Sequence, residues 1–451
     1  MAEADLVIAG GTVVTPDGRR RADVAVADGR IVEIGQSLRD GRRTVDAAGL
    51  LVMPGGVDTH VHLMDPGDPE REDFPTGTSA AAASGVTTIV EHSHGRPVRT
   101  VADLTEKVAY LSDRSNVDFG LAAHAWPGQA AEVPALWEAG VAFFKVFTCT
   151  THGVAGHDAA ALLAHLEMSA LANAVSLLHC EDESLTAVAE KTLRGQGRDD
   201  PGVLPEWRNR DAELVAAAVA ALLIRRTGAR ATIAHVSNDE VASYVAAERA
   251  KGATIAAEGC PQYFLLREFE VHEHGALRKF TPPARARTDD DEAQLWRLLR
   301  GGVLTHMSSD HAPSTLAHKR AGNIWEVHFG LPGLDSTMAV LLDAAARGHL
   351  AYEDIARVYS LNPARTYGLW PRKGRLAPGA DADIILVDPA ATRTLHNADV
   401  LSKAGWTPFD GRTLTGRVVQ TYLRGRLVAE EGKPADDRSG RFIAGSGRRG
   451  H

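Results

Sequence analysis

Two histidines one residue apart are the strongest candidates for chemistry in this sequence. They lie in segment 58–62 (DTHVH), shortly after the apolar run 50–53. Alternate residues of a β-strand face the same side, so His60 and His62 would point together. Imidazole nitrogens placed in this way can bind one metal ion. His-x-His pairs also occur by chance, so the pair alone leaves a structural role open.

Four further candidates for metal binding lie in or at the ends of later strand-like runs. They are Lys145, His179, His235 and Asp310. The intervals between successive candidates, starting from His60, are 85, 34, 56 and 75 residues. A strand–helix–strand unit needs roughly 30 residues or more, so these intervals fit strands 1, 4, 5, 6 and 8 of an eight-stranded barrel. Such residues would meet at the carboxyl ends of the strands, where barrel active sites form. Each of these residues alone is compatible with a structural role, but placements that agree with one architecture favour a shared site.

The elements that must position these residues follow from the patterning of the chain. From about residue 53, alanine-rich helical stretches alternate with short β-rich runs, which indicates a parallel α/β sheet. The clearest of these runs are 87–90, 143–147 and 232–234.

Both ends of the chain have a different style, with short strands and tight turns. Near the amino terminus, the turn signals 16–18 and 28–29 separate β-rich runs as in hairpins. These runs are 6–8, 12–14, 24–26 and 31–34, and similar runs return at 383–387 and 418–423. We therefore predict an α/β chain with a (β/α)8 TIM-like barrel over 53–373 and a small β-sandwich domain formed by 1–52 and 374–440. The Gly-, Ser- and Arg-rich tail 441–451 is predicted to be disordered.

Composition narrows the class of protein. The 451 residues are 44% hydrophobic and 24% charged, which is ample for a large core. The net charge of -9 disfavours a nucleic-acid-binding face. The longest apolar run, Leu214–Ile224, is too short to span a bilayer and is predicted to be a buried barrel helix. We expect neither a nucleic-acid partner nor a membrane.

The cysteines and the first residues bear on location. Cys149, Cys180 and Cys260 fit neither a zinc-binding CxxC pair nor a disulfide framework. Glu3 and Asp5 precede the first apolar run, where a secretory signal would be cationic. A reducing, cytoplasmic location is the simplest interpretation.

Several motifs together give the chain a family resemblance. They are 54–62 (PGGVDTHVH), 144–147 (FKVF), 361–364 (LNPA) and 374–383 (GRLAPGADAD). With these motifs the chain resembles, over nearly its whole length, the cyclic amidohydrolases, which comprise hydantoinases, dihydropyrimidinases, allantoinases and dihydroorotases. The resemblance implies hydrolysis of a C–N bond in a small cyclic amide, by an enzyme that forms a homotetramer or homodimer.

The resemblance also implies a binuclear metal centre. Two zinc ions, or other divalent metals, would be bridged by a hydroxide and by Lys145 as N6-carboxylysine. His60 and His62 would bind the more buried metal, and His179 and His235 the more exposed one. Asp310 would bind the buried metal and act as general base and acid. The bridging hydroxide would attack the ring carbonyl, and Asp310 would pass its proton to the leaving nitrogen.

Substrate identity is less constrained by the motifs. Segments 65–67, 72–78, 260–263 and 407–411 are most similar to allantoinases and L-hydantoinases. Dihydroorotases usually carry an arginine where this chain has Met64, and many hydantoinases a tyrosine where it has Thr150. We predict a hydantoinase- or allantoinase-like hydrolase. The alternatives are a dihydroorotase-like or acyclic amide or ureide hydrolase, and a non-catalytic assembly protein related to dihydropyrimidinase.

One segment departs from the family pattern. After strand-like residues 88–91, relatives commonly continue with Met-Pro and a small polar residue, whereas this chain has 92–96 (HSHGR). His94 or Arg96 could meet a polar or anionic substituent of the substrate, or could face loops. Candidate substrate contacts are His94, Arg96, Thr150, Gln262 and Ser309. His311 could support Asp310, and His124, His152 and His157 could line the mouth or be structural.

Overall fold

The computed structural model describes residues 4–38, 41–435 and 437–448. The amino-terminal region consists of short strands, two pairs of which are antiparallel hairpins. These strands are β1 (Leu6–Ala9), β2 (Thr12–Thr15), β3 (Gly18–Arg21), β4 (Asp23–Ala27), β5 (Arg30–Gly35), β6 (Thr44–Asp46) and β7 (Leu51–Pro54). The hairpins β2–β3 and β4–β5 turn at 16–17 and 28–29, which confirms both turn predictions.

A ring of parallel strands occupies the centre of the fold. Its members are β8 (Gly56–Val61), β9 (Val86–Glu91), β10 (Asp118–Leu121), β11 (Ala123–His124), β12 (Phe144–Phe147), β13 (Val175–His179), β14 (Arg230–Ile233), β15 (Ile255–Gly259) and β16 (His306–Met307). Strands β10 and β11, separated by one residue, together count as one strand of the barrel wall. The wall therefore has eight such strands, here called staves, and this pair is the third. Ala142 N donates to Leu121 O at 2.8 Å and so joins β10 to the residues before β12. A parallel bridge between Val61 and His311 joins the first stave to the residues after the last. The predicted TIM-like (β/α)8 class is confirmed.

Helices connect and cover the staves. They are α1 (Phe74–Ala83), α2 (Val101–Leu111), α3 (Val133–Ala139), α4 (Ala159–Leu171), α5 (Glu183–Gly195), α6 (Val203–Trp207), α7 (Arg210–Thr227), α8 (Asp239–Ala250), α9 (Pro261–Leu265), α10 (Glu270–His274), α11 (Asp289–Arg300), α12 (Leu316–Arg320), α13 (Thr337–Ala346), α14 (Tyr352–Ala356) and α15 (Asn362–Thr366). Side-chain caps at Asp158, Asp182 and Asn238 start α4, α5 and α8, the helices that follow β12, β13 and β14. Because each cap binds a backbone N–H of the first turn, it fixes where the preceding loop ends.

Helix α7 contains the longest apolar run of the chain. The predicted helix is confirmed, but only one of its faces is buried. Ala217, Ala221 and Ile224 pack in the core, whereas Val215 and Leu222 are each 42% exposed. The helices among the described ranges are too short or too polar to cross a membrane.

Strands from both ends of the chain pair in one sheet. The carboxy-terminal strands are β17 (Ile384–Thr394), β18 (Thr413–Leu423), β19 (Arg426–Glu430) and β20 (Lys433–Pro434). Strand β17 pairs with β7 in a seven-stranded sheet of order β20-β19-β18-β17-β7-β2-β3. A second sheet has the order β5-β4-β1-β6. Ile8, Val24, Ile384 and Tyr422 belong to one apolar cluster, to which both ends of the chain contribute. The domain boundaries at 52/53, 373/374 and 440/441 stay a prediction.

The tail behaves differently from the expectation of disorder. The backbone N–H of Phe119 donates to the carbonyl oxygen of Arg441 at 2.9 Å. The carbonyl oxygen of Phe119 accepts from the backbone N–H of Ile443 at 2.7 Å. The glycines that suggested disorder instead allow the tail backbone to approach the barrel closely. A Cβ on Gly440 would collide with the carbonyl of Val117, and one on Gly445 with the carbonyl of Val141. Residues 441–448 therefore pack against the barrel, and 449–451 lie outside the described residues.

A buried charge cluster joins the barrel to the carboxy-terminal strands. The Nζ of Lys373 lies 2.7 Å from Asp383, 2.9 Å from Asp381 and also contacts Asp118 at the start of β10. All four side chains are buried, and Arg424 pairs with Asp118 as a second cation. Without the ammonium, the carboxylates would face one another in a medium of low dielectric constant.

Lys373→Met should lower the free energy of unfolding by about 3–5 kcal/mol, because it leaves the buried Asp383 carboxylate without its paired cation. Urea unfolding followed by circular dichroism measures the change. The control is Lys251→Met, since the Lys251 side chain is 60% exposed where it pairs with Glu248. That control should cost less than about 1 kcal/mol. Equal midpoints for both variants would show that the buried cluster contributes no special stability.

Candidate metal centre

A pocket opens at the carboxyl ends of the barrel strands. All six residues predicted to bind metal line it: His60, His62, Lys145, His179, His235 and Asp310. Lys145 lies within β12 and His179 ends β13, while His235 and Asp310 come two and three residues after β14 and β16. The structure thus brings together side chains spread over 250 positions.

Hydrogen bonds from outside the pocket fix the tautomers of three of these histidines. His60 Nδ1 lies 2.6 Å from a Glu258 oxygen, and His62 Nδ1 lies 2.8 Å from the carbonyl oxygen of His92. His179 Nε2 lies 2.7 Å from a Glu181 oxygen. Carboxylate and carbonyl oxygens only accept, so each of these ring nitrogens carries the proton. The opposite nitrogen of each ring therefore presents a lone pair on the other side.

Those lone pairs face other site residues. His60 Nε2 lies 3.2 Å and His62 Nε2 3.7 Å from the same oxygen of Asp310. His179 Nδ1 lies 2.9 Å from His235 Nε2, and His235 Nδ1 is buried with no hydrogen-bond partner among the described residues. The lone pairs of His60 and His62 that converge on the Asp310 carboxylate suit a cation, because acceptors cannot bind one another without one.

Burial keeps the imidazoles neutral. It lowers the pKa of His60 and His179, and it places the pKa of His62 and His235 well below the ordinary range. The neutral form is the one that binds metals. Although burial disfavours the charge on Glu181, Arg208 and His179 hold the pKa of that carboxyl at about 2.

Lys145 and Asp310 are the remaining pair at the centre. Burial lowers the pKa of Lys145 to about 8, although the Asp310 and Glu258 carboxylates act in the opposite direction. Lys145 Nζ lies 3.0 Å from His60 Nε2. Burial raises the pKa of the Asp310 carboxyl, against the opposing influence of His60 and Lys145. The lysine can thus shed its charge near neutral pH, and the aspartate can hold a proton more readily than an exposed one.

Two of the site residues have left-handed backbone. His235 has a φ of 35° and Asp310 a φ of 50°, a region that residues with a side chain seldom adopt. Glu258 accepts a bond from His235 N at 3.1 Å, and both oxygens of Asp58 accept one from Ser309 N at 3.1 Å. Buried carboxylates therefore support the backbone beside each residue, as expected where strain is kept at a functional site.

The predicted substrate contacts divide into two groups. His94 lines the pocket and stacks on His62 with ring centroids 4.3 Å apart. Gln262 and Ser309 do not line the pocket but bond to residues that do, since Gln262 Nε2 donates to Asp310 Oδ2 at 3.3 Å and Ser309 Oγ donates to the His60 carbonyl at 3.4 Å. By contrast, Arg96 pairs with exposed Glu106 at 2.6 Å.

Thr150 is also turned away from the pocket. Its backbone N–H donates to Glu183, and its Oγ1 accepts from Gly156 N at 3.3 Å. The structure therefore gives neither Arg96 nor Thr150 a contact in the pocket. Arg96 differs from His94 because the chain turns outward at exposed Gly95.

The other histidines of the sequence separate in the same way. His152 lines the pocket and stacks on His94 at 4.4 Å with an interplanar angle of 5°. His124 and His157 bind backbone carbonyls instead, those of His92 and Phe147. His311 accepts bonds from Gly333 N and Leu334 N, at 3.0 and 3.3 Å, rather than contacting the Asp310 carboxylate.

Several site residues are missed by sequence reasoning. Glu258 and Glu181 are the main ones, and a signal for each exists: Glu258 is a lone carboxylate in a buried strand, and Glu181 lies two residues after His179. Phe280, Thr281 and Phe329 also line the pocket. They lie in loops, where no periodicity marks them.

Comparison with known proteins decides the family. The model of the amidohydrolase family matches residues 51–428. The chain belongs to the amidohydrolase family. Among its relatives, an allantoinase from Rubrobacter xylanophilus is 36% identical and one from Deinococcus radiodurans 34%, with at least 97% of each chain covered.

Solved structures agree with this membership. L-hydantoinase (dihydropyrimidinase) from Arthrobacter aurescens has a TM-score of 0.94 at 28% identity, covering 98% of this chain and 100% of that chain. A D-hydantoinase has a TM-score of 0.91 at 29% identity, with 99% of both chains covered. The resemblance to allantoinases and L-hydantoinases expected from the motifs is confirmed.

The donor set of this amidohydrolase fits divalent transition metals. Neutral imidazoles suit zinc and similar ions, and the Asp310 carboxylate adds a negative oxygen donor. The carboxylates behind His60 and His179 give the arrangement commonly found outside histidine ligands of metals. On the chemistry of its donors, the pocket is therefore a candidate metal centre.

Glu258→Gln should weaken zinc binding by about 10- to 100-fold, because a neutral amide polarises the His60 ring less than a carboxylate does. Zinc competition with a chromophoric chelator measures the affinity. Glu106→Gln makes the same change at a side chain that is 63% exposed, and it should leave affinity unchanged. Wild-type affinity in Glu258→Gln would argue against a role of His60 in metal binding.

Proposed function

We propose that this amidohydrolase is a metal-dependent enzyme that opens the ring of a small cyclic amide or ureide. The names of its relatives, allantoinase and hydantoinase, denote this kind of activity. The observation that carries the proposal is the inward-facing set of imidazole lone pairs around Asp310. The allantoinase and hydantoinase relatives support it over almost the full chain.

The residues would hold two divalent cations, which we propose to be zinc. His60, His62 and Asp310 would bind one, and His179 and His235 the other. Lys145 would bridge them as a carbamate: its neutral Nζ adds to the carbon of CO2 and loses one proton, which gives two oxygens sharing a negative charge. When bound, the metals would lower the pKa of a water molecule strongly, toward about 7, and polarise the scissile carbonyl.

Asp310 is placed to move the proton that hydrolysis requires. Its Oδ1 faces the pocket histidines, and its Oδ2 accepts from Gln262 at 3.3 Å, which limits rotation of the carboxylate. We propose that Asp310 takes a proton from the attacking water and delivers it to the ring nitrogen as the C–N bond breaks. A buried carboxyl with a raised pKa releases that proton less readily to bulk water and can retain it for the leaving group.

The pocket wall favours an uncharged ring. Phe147, Phe280 and Phe329 supply apolar surface, and Thr281 and the stacked histidines supply hydrogen-bonding groups. Arginine does not occur among the described residues that line the pocket. The carboxylate of a ring such as dihydroorotate would therefore lack a guanidinium partner in the pocket wall, which favours neutral hydantoin- or allantoin-like substrates over the dihydroorotase-like alternative.

Other features remain part of the proposal. An acyclic ureide would need the same metal centre, and its exclusion depends on the substrate test below. A non-catalytic assembly role is disfavoured because all six candidate ligands lie in one pocket.

The cytoplasmic location and the homotetrameric or dimeric state stay predictions. Cys149, Cys180 and Cys260 are unpaired and buried.

A substrate panel tests the function directly. Zinc-loaded protein should open hydantoin or allantoin faster than dihydrouracil, dihydroorotate or a cyclic imide, and faster than it hydrolyses an acyclic ureide, with kcat/KM as the measure. Asp310→Asn should lower kcat by at least about 100-fold, because it removes the proton carrier. Circular dichroism and zinc content would be measured alongside, with His165→Phe, a change at a buried residue that does not line the pocket, as the control for folding. Normal turnover in Asp310→Asn would refute the assigned role.

A second prediction concerns the pocket wall. His94→Ala should raise KM roughly 2- to 10-fold, since it removes an aromatic ring stacked between His62 and His152. Arg96→Ala should leave KM unchanged, because Arg96 pairs with Glu106 outside the pocket. The reverse pattern, with KM sensitive to Arg96 alone, would mean that the substrate reaches the surface on that side.

A further inference from the structure

His92 is a buried histidine directly beside the candidate metal ligands. It follows the last residue of β9, and its side chain is 1% exposed. Its ring centroid lies 4.3 Å from that of His62 and 4.8 Å from that of His60. One ring nitrogen from each of the three histidines can be chosen so that all lie within 4.8 Å of one another. The three imidazoles are therefore close enough together to hold one ion.

The ring of His92 lacks hydrogen-bond partners. Across the described residues, neither Nδ1 nor Nε2 has one, although both atoms are buried. A buried polar atom left unpaired is costly, and most such atoms in native proteins are bound to something. The Phe143 ring lies 5.3 Å away at an angle of 74°, and the His124 ring lies 6.2 Å away. The rings of His60 and His62 are therefore the nearest nitrogen-bearing rings to that of His92.

The backbone of His92 already serves the site. Its carbonyl oxygen accepts from His62 Nδ1 at 2.8 Å and from His124 Nε2 at 3.2 Å. These two bonds hold the main chain of His92 against the site. The Cα from which the ring extends is therefore fixed beside the candidate ligand His62.

We infer that His92 is a third imidazole ligand of the metal bound by His60 and His62, an inference that rests on the proposed function. The buried ion would then have three neutral nitrogen donors besides the oxygens of Asp310 and the Lys145 carbamate. The outer ion would keep His179 and His235 as its imidazoles. An extra nitrogen donor favours zinc, cobalt or nickel over manganese or magnesium, and it makes the buried ion the harder of the two to remove.

The zinc-loaded wild-type protein provides the first test. Its crystal structure should place a His92 ring nitrogen at about 2.0–2.1 Å from the inner zinc. A structure with both zinc ions bound and His92 unligated would overturn the inference while leaving the proposed function intact. A protein that binds no zinc would overturn both.

A variant provides the second test. His92→Phe keeps the ring volume but removes both nitrogens, and His165→Phe makes the same change at a buried site where the ring bonds Ser176 at 2.9 Å. In the cobalt-loaded proteins, the visible absorption bands should shift for His92→Phe only. Competition with a chelator should show one of the two zinc ions bound at least about 100-fold more weakly in that variant. Removing a residue that only hydrogen-bonds to a ligand typically weakens metal affinity by about 10- to 100-fold, so a loss of this size indicates a direct ligand. Two zinc ions held with wild-type affinity, together with unshifted cobalt bands, would refute the inference.

Discussion

The carboxylate of Glu258 is the contact on which the geometry of the site depends most. One of its oxygens accepts from His60 Nδ1 at 2.6 Å and from the backbone N–H of His235 at 3.1 Å. Candidate ligands of both proposed metals are thus held by a single atom on β15. Burial alone would raise the pKa of Glu258, but His60 and His306 hold it well below the usual range. A permanent negative charge therefore fixes the His60 tautomer and the position of His235 together.

The same logic explains why barrel strands suit this chemistry. Parallel strands deliver their last side chains to one end of the barrel, while caps such as Asp182 and Asn238 stop the following loops from shifting. Acceptors for the imidazole protons come from neighbouring positions: the Glu258 side chain, the His92 carbonyl and Glu181. Each acceptor removes one of two possible tautomers. The pocket therefore presents lone pairs before any ion arrives, which reduces the reorganisation that binding requires.

Much of this arrangement could be predicted from the sequence, because strand periodicity and interval lengths depend only on local chain geometry. His60 and His62 share a face, and Lys145 lies within β12. His179, His235 and Asp310 lie at or just after the ends of their strands. Contacts made by loops were not predictable in the same way. The His94 side chain lines the pocket, whereas that of Arg96 lies outside it and pairs with Glu106, because the backbone turns between them at Gly95. Thr281 meets Glu181 across 100 positions, and the Gly-rich tail packs because its glycines fit against backbone, a property that composition alone does not reveal.

Asp58 links barrel closure to the segment that carries Asp310. Its two oxygens accept from Ser309 N, and Oδ2 also accepts from Tyr359 at 2.8 Å, so the first stave is joined to the segment that carries Asp310. Burial raises the pKa of Asp58 to about 6, despite these hydrogen bonds. The residue is therefore a costly means of closing a barrel, and an apolar contact would serve closure alone. Its position makes sense if the left-handed backbone of Asp310 must be held, since that conformation sets where the proposed proton carrier points.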